Sequence, residues 1–218
     1  MKVILTGATG MVGEGVLFEC IQNSKVSEIL IVGRRNYETT SPKVKQLLVP
    51  DFLKIDEYKN QLKGYDACFF CAGISSVGMN EEKYTVITYD TTMAFAKTLL
   101  EVNPNMVFNF VSGRSTDSSE NGKVMWARVK GKTENDLMKL GFKAEYNFRP
   151  ALMLPFKGQK SVKPVFKIMS KLLKYIMPNA TLTLSQVGKA MINVVEKNYP
   201  KSVLEVSDIR KAANETNN

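Results

Sequence analysis

Apolar and polar residues follow two rhythms along this chain of 218 residues. Short runs rich in Val, Ile, Leu and Phe read as strands: KVILT (2–6), EILIVG (28–33), KQLLV (45–49), ACFFCA (67–72), MVFNFVS (106–112) and KAEYNFR (143–149). Runs that stay apolar through consecutive positions suit a sheet covered on both faces. Between them apolar residues recur every three or four positions, which predicts helices over 11–22, 79–102 and 123–140. Strand and helix in alternation predict an α/β fold with a doubly wound parallel sheet, whose ligands sit at the C-terminal strand ends.

The rhythm changes after Pro150, where prolines 155, 164 and 178 interrupt it. Residues 1–150 therefore read as the core and 151–218 as a small C-terminal cap packed on it. A helix near 185–197 and a strand near SVLEV (202–206) are expected to return to the core. Within the cap, KPVFKIMSKLLKYIMP puts Val165, Ile168, Met169, Leu172 and Ile176 on one helical stripe, with Lys167, Lys171 and Lys174 elsewhere. That stripe reads as a lid over a cleft in preference to an interfacial membrane helix over 164–178.

Composition removes several chemistries. With no histidine, acid–base work falls to Tyr, Lys, Cys, Asp, Glu or a cofactor, and no metal site is expected. Cys68 and Cys71 mimic a redox pair, but residues three apart on a strand face opposite ways. The net charge of +9 favours an anionic partner; scattered lysines and the lack of a nucleic-acid motif point to a small molecule over nucleic acid. A homodimer is compatible with the sequence. No apolar run approaches the roughly 18 residues of a membrane span, and a strand from residue 2 leaves no room for a signal peptide, so a cytoplasmic location is expected.

The sharpest signal is TGATGMVGEGV (6–16), a glycine-rich turn between the first strand and the first helix. Gly7 suits the tight turn, Gly10 the close approach of a diphosphate, and Gly13 the packing of helix on strand. Thr9, Met11 and Val12 complete the cradle, where the helix N-terminus offers free N–H groups. This is the nucleotide-binding signature of a Rossmann-type fold. An NAD site carries Asp or Glu after the second strand; here IVGRR supplies Arg34 and Arg35, whose guanidinium groups suit a 2′-phosphate, so NADP(H) is expected over NAD(H).

With these motifs in order, the chain resembles the short-chain dehydrogenase/reductase superfamily. It is most similar to the atypical, epimerase-like branch, including small NADPH-binding relatives of Tat-interacting proteins. The resemblance implies that Asp51 and Phe52 border the adenine. It matches Cys71, Ala72 and Gly73 to an Asn-Ala-Gly motif with cysteine in place of asparagine, and Ser112 to the active-site serine. Pro150, in FRP, borders the nicotinamide. WARVKG aligns with the YxxxK helix, where Lys130 would hold the nicotinamide ribose.

At the tyrosine position, however, stands Trp126, the only tryptophan in the chain. An indole N–H donates but does not ionise usefully. Tyr84 or Tyr89 could substitute, or substrate or water could supply the proton with Ser112 as relay. Alternatively the protein binds dinucleotide without turnover, as a silent regulator or sensor, with Trp126 stacked on the nicotinamide or a ligand. Arg114 and Asp117 are expected to edge the same pocket, Arg114 as a substrate-binding group. Asp90 carries no assigned role.

Overall fold

The computed structural model describes residues 1–162 and 177–215. The lid stripe at Val165, Ile168, Met169, Leu172 and Ile176 lies outside the described residues. Strands β1 (Lys2–Thr6), β2 (Glu28–Gly33), β3 (Val44–Leu48), β4 (Ala67–Phe70), β5 (Val107–Val111) and β6 (Ala144–Phe148) fall where the apolar runs predict them. Numbering β7 (Leu152–Leu154), β8 (Thr181–Thr183) and β9 (Val203–Leu204) completes the set. The main sheet has seven strands in the order β3-β2-β1-β4-β5-β6-β9, and every pairing is parallel. This is the doubly wound Rossmann-type arrangement, with the crossover point between β1 and β4.

Each face of the sheet feeds its own apolar cluster. On one, Val3, Leu5, Ile31, Phe69 and Phe148 pack with Val16, Leu17 and Cys20 of α1 (Met11–Gln22). The same cluster takes Val187 and Met191 of α5 (Leu184–Lys197) and Ile209 of α6 (Val206–Asn214). The other face joins Ile4, Phe70, Phe108 and Phe110 to Phe95 and Leu99 of α3 (Thr91–Val102) and Leu137 of α4 (Met125–Met138). Cys68 packs in this second cluster and Cys71 against the first, on opposite faces as the strand geometry requires. Burial pushes both thiols upward, away from the thiolate form.

Two elements differ from expectation. The helix predicted over 79–102 begins as α2 (Glu81–Thr85) and passes through a π turn at Val86–Asp90 before α3. Here the Thr91 N–H reaches back to the Val86 carbonyl, and the Thr91 hydroxyl donates to it as well, at 3.0 Å. Such a turn widens the helix locally and re-aims its side chains. A 3₁₀ segment, Phe52–Leu62, follows β3 where no helix is predicted; Asp51 caps it by accepting from the Leu53 N–H at 3.0 Å.

Candidate functional site

The glycine turn is shaped by contacts that tolerate no side chain. Gly7 has φ +74°, and a Cβ there would lie 2.6 Å from the Cys71 carbonyl oxygen. A Cβ on Gly13 would lie 2.2 Å from the Gly7 oxygen, whereas one on Gly10 would meet that atom at 3.4 Å. The Gly10 N–H donates to Gly7 O at 2.9 Å, and Glu14 N–H is the first to bond inside α1, to Gly10 O. The Met11, Val12 and Gly13 amides therefore have no acceptor within the helix. Thr6, buried beneath the turn, accepts from the Cys71 and Ala72 N–H groups at 3.1 and 3.0 Å. That bond sets the Cys71–Ala72–Gly73 segment against the turn.

From the end of β2, Arg35 donates to the Thr9 hydroxyl at 3.3 Å, which brings its guanidinium over the turn. Arg34 beside it is exposed. Phe52 lies against Phe95 with ring centroids 5.4 Å apart. An anion-binding helix start, a backbone cradle closed to side chains and the Arg35 guanidinium at its rim fit a dinucleotide phosphate.

Further along the sheet edge, Lys130 of α4 donates to the Ser112 carbonyl at 2.6 Å. The Ser112 hydroxyl is buried and pairs with the Thr116 hydroxyl at 2.8 Å. Desolvation pulls the Lys130 ammonium down to about 8, although Glu134, one turn on, favours its charge. Trp126 stands one turn before Lys130, half-buried at the start of α4. The N–H of Arg114 donates to Pro150 O at 2.9 Å, which holds the Ser112 loop beside FRP.

The two candidate tyrosines differ in their surroundings. Tyr89 donates to Asp136 at 2.8 Å, under Lys132, whose ammonium lies 4.8 Å from the ring centroid. Tyr84 is buried on α2. Burial raises both phenols, Tyr89 further by its bond to Asp136. Asp117 does not edge the pocket. It folds its own loop, accepting from the Ser119 and Gly122 N–H groups at 3.0 and 2.6 Å. Arg114 lines a cavity of about 540 Å³ with Asn179, Glu205 and Ser207, whose lining includes none of Ser112, Trp126 or Lys130.

Sequence reading missed the most heavily bonded group near the site. Arg149 donates through Nε to both Glu134 oxygens at 3.0 and 3.1 Å, and through Nη2 to Glu134 and the Ser118 hydroxyl. Its Nη1 reaches Glu205 at 3.3 Å. Glu134 is fully buried, so this pair welds α4 to the end of β6. A signal was available: Trp126, Lys130 and Glu134 are spaced by four, so Glu134 shares the face of Lys130.

The sequence model of the family described as NAD dependent epimerase/dehydratase matches residues 3–134. The chain is 29% identical over 156 residues to Protein HTATIP2 of Rattus norvegicus, spanning 70% of this chain and 63% of that protein. It is 28% identical over 210 residues to "Protein FMP52-2, mitochondrial" of Scheffersomyces stipitis, spanning 92% and 90%. Among solved structures it superposes on the short chain dehydrogenases/reductase YIR035C of Saccharomyces cerevisiae, covering 95% and 97% of the chains. The TM-score is 0.68 at 15% identity, a likeness of fold. The mitochondrial name of a relative matched along nearly the whole chain corrects the expectation of a cytoplasmic location. Among the described residues no helix is long and apolar enough to cross a membrane. With its glycine turn, parallel strand order and matched sequence, the chain belongs to the NAD dependent epimerase/dehydratase family.

Proposed function

We propose that this protein binds NADP(H) in preference to NAD(H) and acts as an oxidoreductase or epimerase-like enzyme on a small molecule. The observation that carries the reading is the Arg35 guanidinium resting on Thr9, which supports a phosphate-binding rim directly above the glycine turn. In this reading the amides of Met11, Val12 and Gly13 hold the diphosphate, with Gly7, Thr9 and Gly10 shaping the approach. Arg34 and Arg35 hold the adenosine 2′-phosphate by charge-assisted hydrogen bonds. Asp51 and Phe52 border the adenine, Cys71, Ala72 and Gly73 line the middle of the groove, and Pro150 borders the nicotinamide.

Bound NADP(H) supplies or accepts hydride. The chain's own residues then manage position and protons. Lys130 donates to the nicotinamide ribose, and Ser112 orients a substrate oxygen through its hydroxyl. Residues 151–218 furnish the substrate side, where Arg114 binds an anionic group. A lysine drawn down to about 8 releases and regains a proton near neutrality, which suits a site without an ionisable tyrosine at 126.

A second reading, a dinucleotide-binding regulator without turnover, is favoured by one observation: the Tyr89 hydroxyl is committed to Asp136 while Trp126 holds the tyrosine position. One protein sample separates the two readings. NADPH should quench Trp126 emission at a much lower concentration than NADH, and similar titration curves would reject the 2′-phosphate assignment. NADPH consumption over a broad panel of carbonyl compounds, lost in Lys130→Ala, is expected of the enzyme. Tight NADPH binding with no turnover on any of them would leave the regulator.

A further inference from the structure

The first turn of α1 carries a carboxylate that the nucleotide reading does not use. Glu14 is 1% exposed, and a carboxylate withdrawn from water must be compensated by donors. Five reach it, from two segments far away in sequence. Tyr37 donates its hydroxyl to Oε1 at 3.1 Å and the Lys160 N–H donates to the same oxygen at 3.1 Å. Oε2 accepts from the Ser161 N–H at 2.9 Å, the Ser161 hydroxyl at 2.5 Å and the Gln159 amide at 3.4 Å. Burial alone would push the carboxyl up, but these hydrogen bonds outweigh it and hold the group below the usual glutamate range, as an anion.

Each donor segment is fixed again by other bonds. Tyr37 lies two residues past Arg35, and its main chain is gripped by Gln46 of β3. The Tyr37 N–H donates to Oε1 at 2.8 Å, and Gln46 Nε2 donates to Tyr37 O at 3.0 Å. On the other side Gln159 also donates to Met11 O at 2.7 Å, and Phe156 meets Phe18 of α1 edge-on at 5.6 Å. The sheet does not depend on this arrangement, since α1 packs on it through Val16, Leu17 and Cys20.

We propose that Glu14 is a positioning residue for cofactor choice: through Tyr37 it fixes the loop that presents Arg34 and Arg35, and through residues 159–161 it ties that loop to the tail. The inference rests on the reading that these arginines take the adenosine 2′-phosphate. A guanidinium gains from a phosphate only when its backbone is already in place, so releasing Tyr37 taxes NADPH and spares NADH.

The test is calorimetric titration of wild type, Tyr37→Phe and Glu14→Gln with NADPH and with NADH. Tyr37→Phe removes a single hydroxyl and keeps the ring, so its fold is retained. In both variants the NADPH Kd should rise roughly tenfold, with NADH changed less than about twofold, the scale of one hydrogen bond to a charged acceptor. Equal losses for the two cofactors, or an unchanged preference in both variants, would overturn the role while leaving the 2′-phosphate reading intact. Wild-type protein that does not distinguish the cofactors would overturn that reading, and this role with it.

Discussion

Gly13→Ala adds one methyl group where the backbone has already closed in. The new carbon would sit 2.2 Å from Gly7 O, 2.4 Å from Gly7 C and 2.9 Å from Ala8 N, against an ordinary contact of 3.4 Å or more. The turn must therefore open by about 1 Å, and no flexible side chain is available to yield. Gly7 cannot retreat easily, because its own Cβ direction faces Cys71 O. Overpacking costs roughly 1–3 kcal/mol, and a backbone clash belongs at the upper end. At about 2–4 °C per kcal/mol for a domain of this size, the thermal midpoint should fall by roughly 6–12 °C. Gly10→Ala is the control: its nearest neighbour lies at 3.4 Å, so the loss should stay within about 1 kcal/mol. Circular dichroism melting reads both. A Gly13→Ala midpoint equal to wild type, or a Gly10→Ala protein equally damaged, would refute the claim that close helix–strand approach is why glycine stands at 13.

Other outcomes follow from the buried charges. Glu134→Ala strips Arg149 of its buried partner and should cost about 3–5 kcal/mol in urea unfolding, far more than removal of the exposed Lys59–Glu101 pair. Glu145 is buried, and desolvation, then the Glu134 charge, raise its carboxyl well above 4.5. The native state thus holds a proton that the unfolded chain releases, so stability should fall as pH rises from about 4.5 toward that raised value. Glu145→Gln should flatten this fall, read as the thermal midpoint in melts at successive pH values above 4.5. Lys130 shifts the opposite way, below the ordinary 10.5, so the native state binds fewer protons between about 8 and 10.5 and gains stability as pH climbs through that window. Lys130→Met should remove the rise and lift the midpoint at pH 7, while weakening NADPH binding.

Much of the sheet was legible because buried parallel strands are written as unbroken apolar runs, and the glycine turn because its spacing reflects backbone contacts. The 3₁₀ segment was not: only Ile55 and Leu62 are buried in it, seven positions apart, too sparse a pattern to show a period. Helix α6 was hidden in SVLEV (202–206), read as a single strand. Val203 and Leu204 pair as a strand, and the same string continues into Val206, the first residue of the helix. The π turn depends on one extra residue per turn, which no spacing of side chains announces. At the site, Ser112 and Lys130 were found as neighbours in space. The Arg149–Glu134 pair and the Glu14 hub were not, since a buried ion pair is defined by partners that sequence distance conceals. Asp117 looked like a pocket residue because it follows Ser112, yet turn chemistry claimed both its oxygens.

The small two-stranded pairing of β7 with β8 has a consequence of its own. Leu152 aligns with Thr181 and Leu154 with Thr183, so the chain leaves and re-enters the body at adjoining points while running in the same direction. The excursion between them is thus clamped at both feet by main-chain bonds that are indifferent to side-chain identity. The first residues past β7 are not interchangeable, however: Gln159, Lys160 and Ser161 donate to Glu14 and Gln159 to Met11 O, so any exchange there reaches the start of α1.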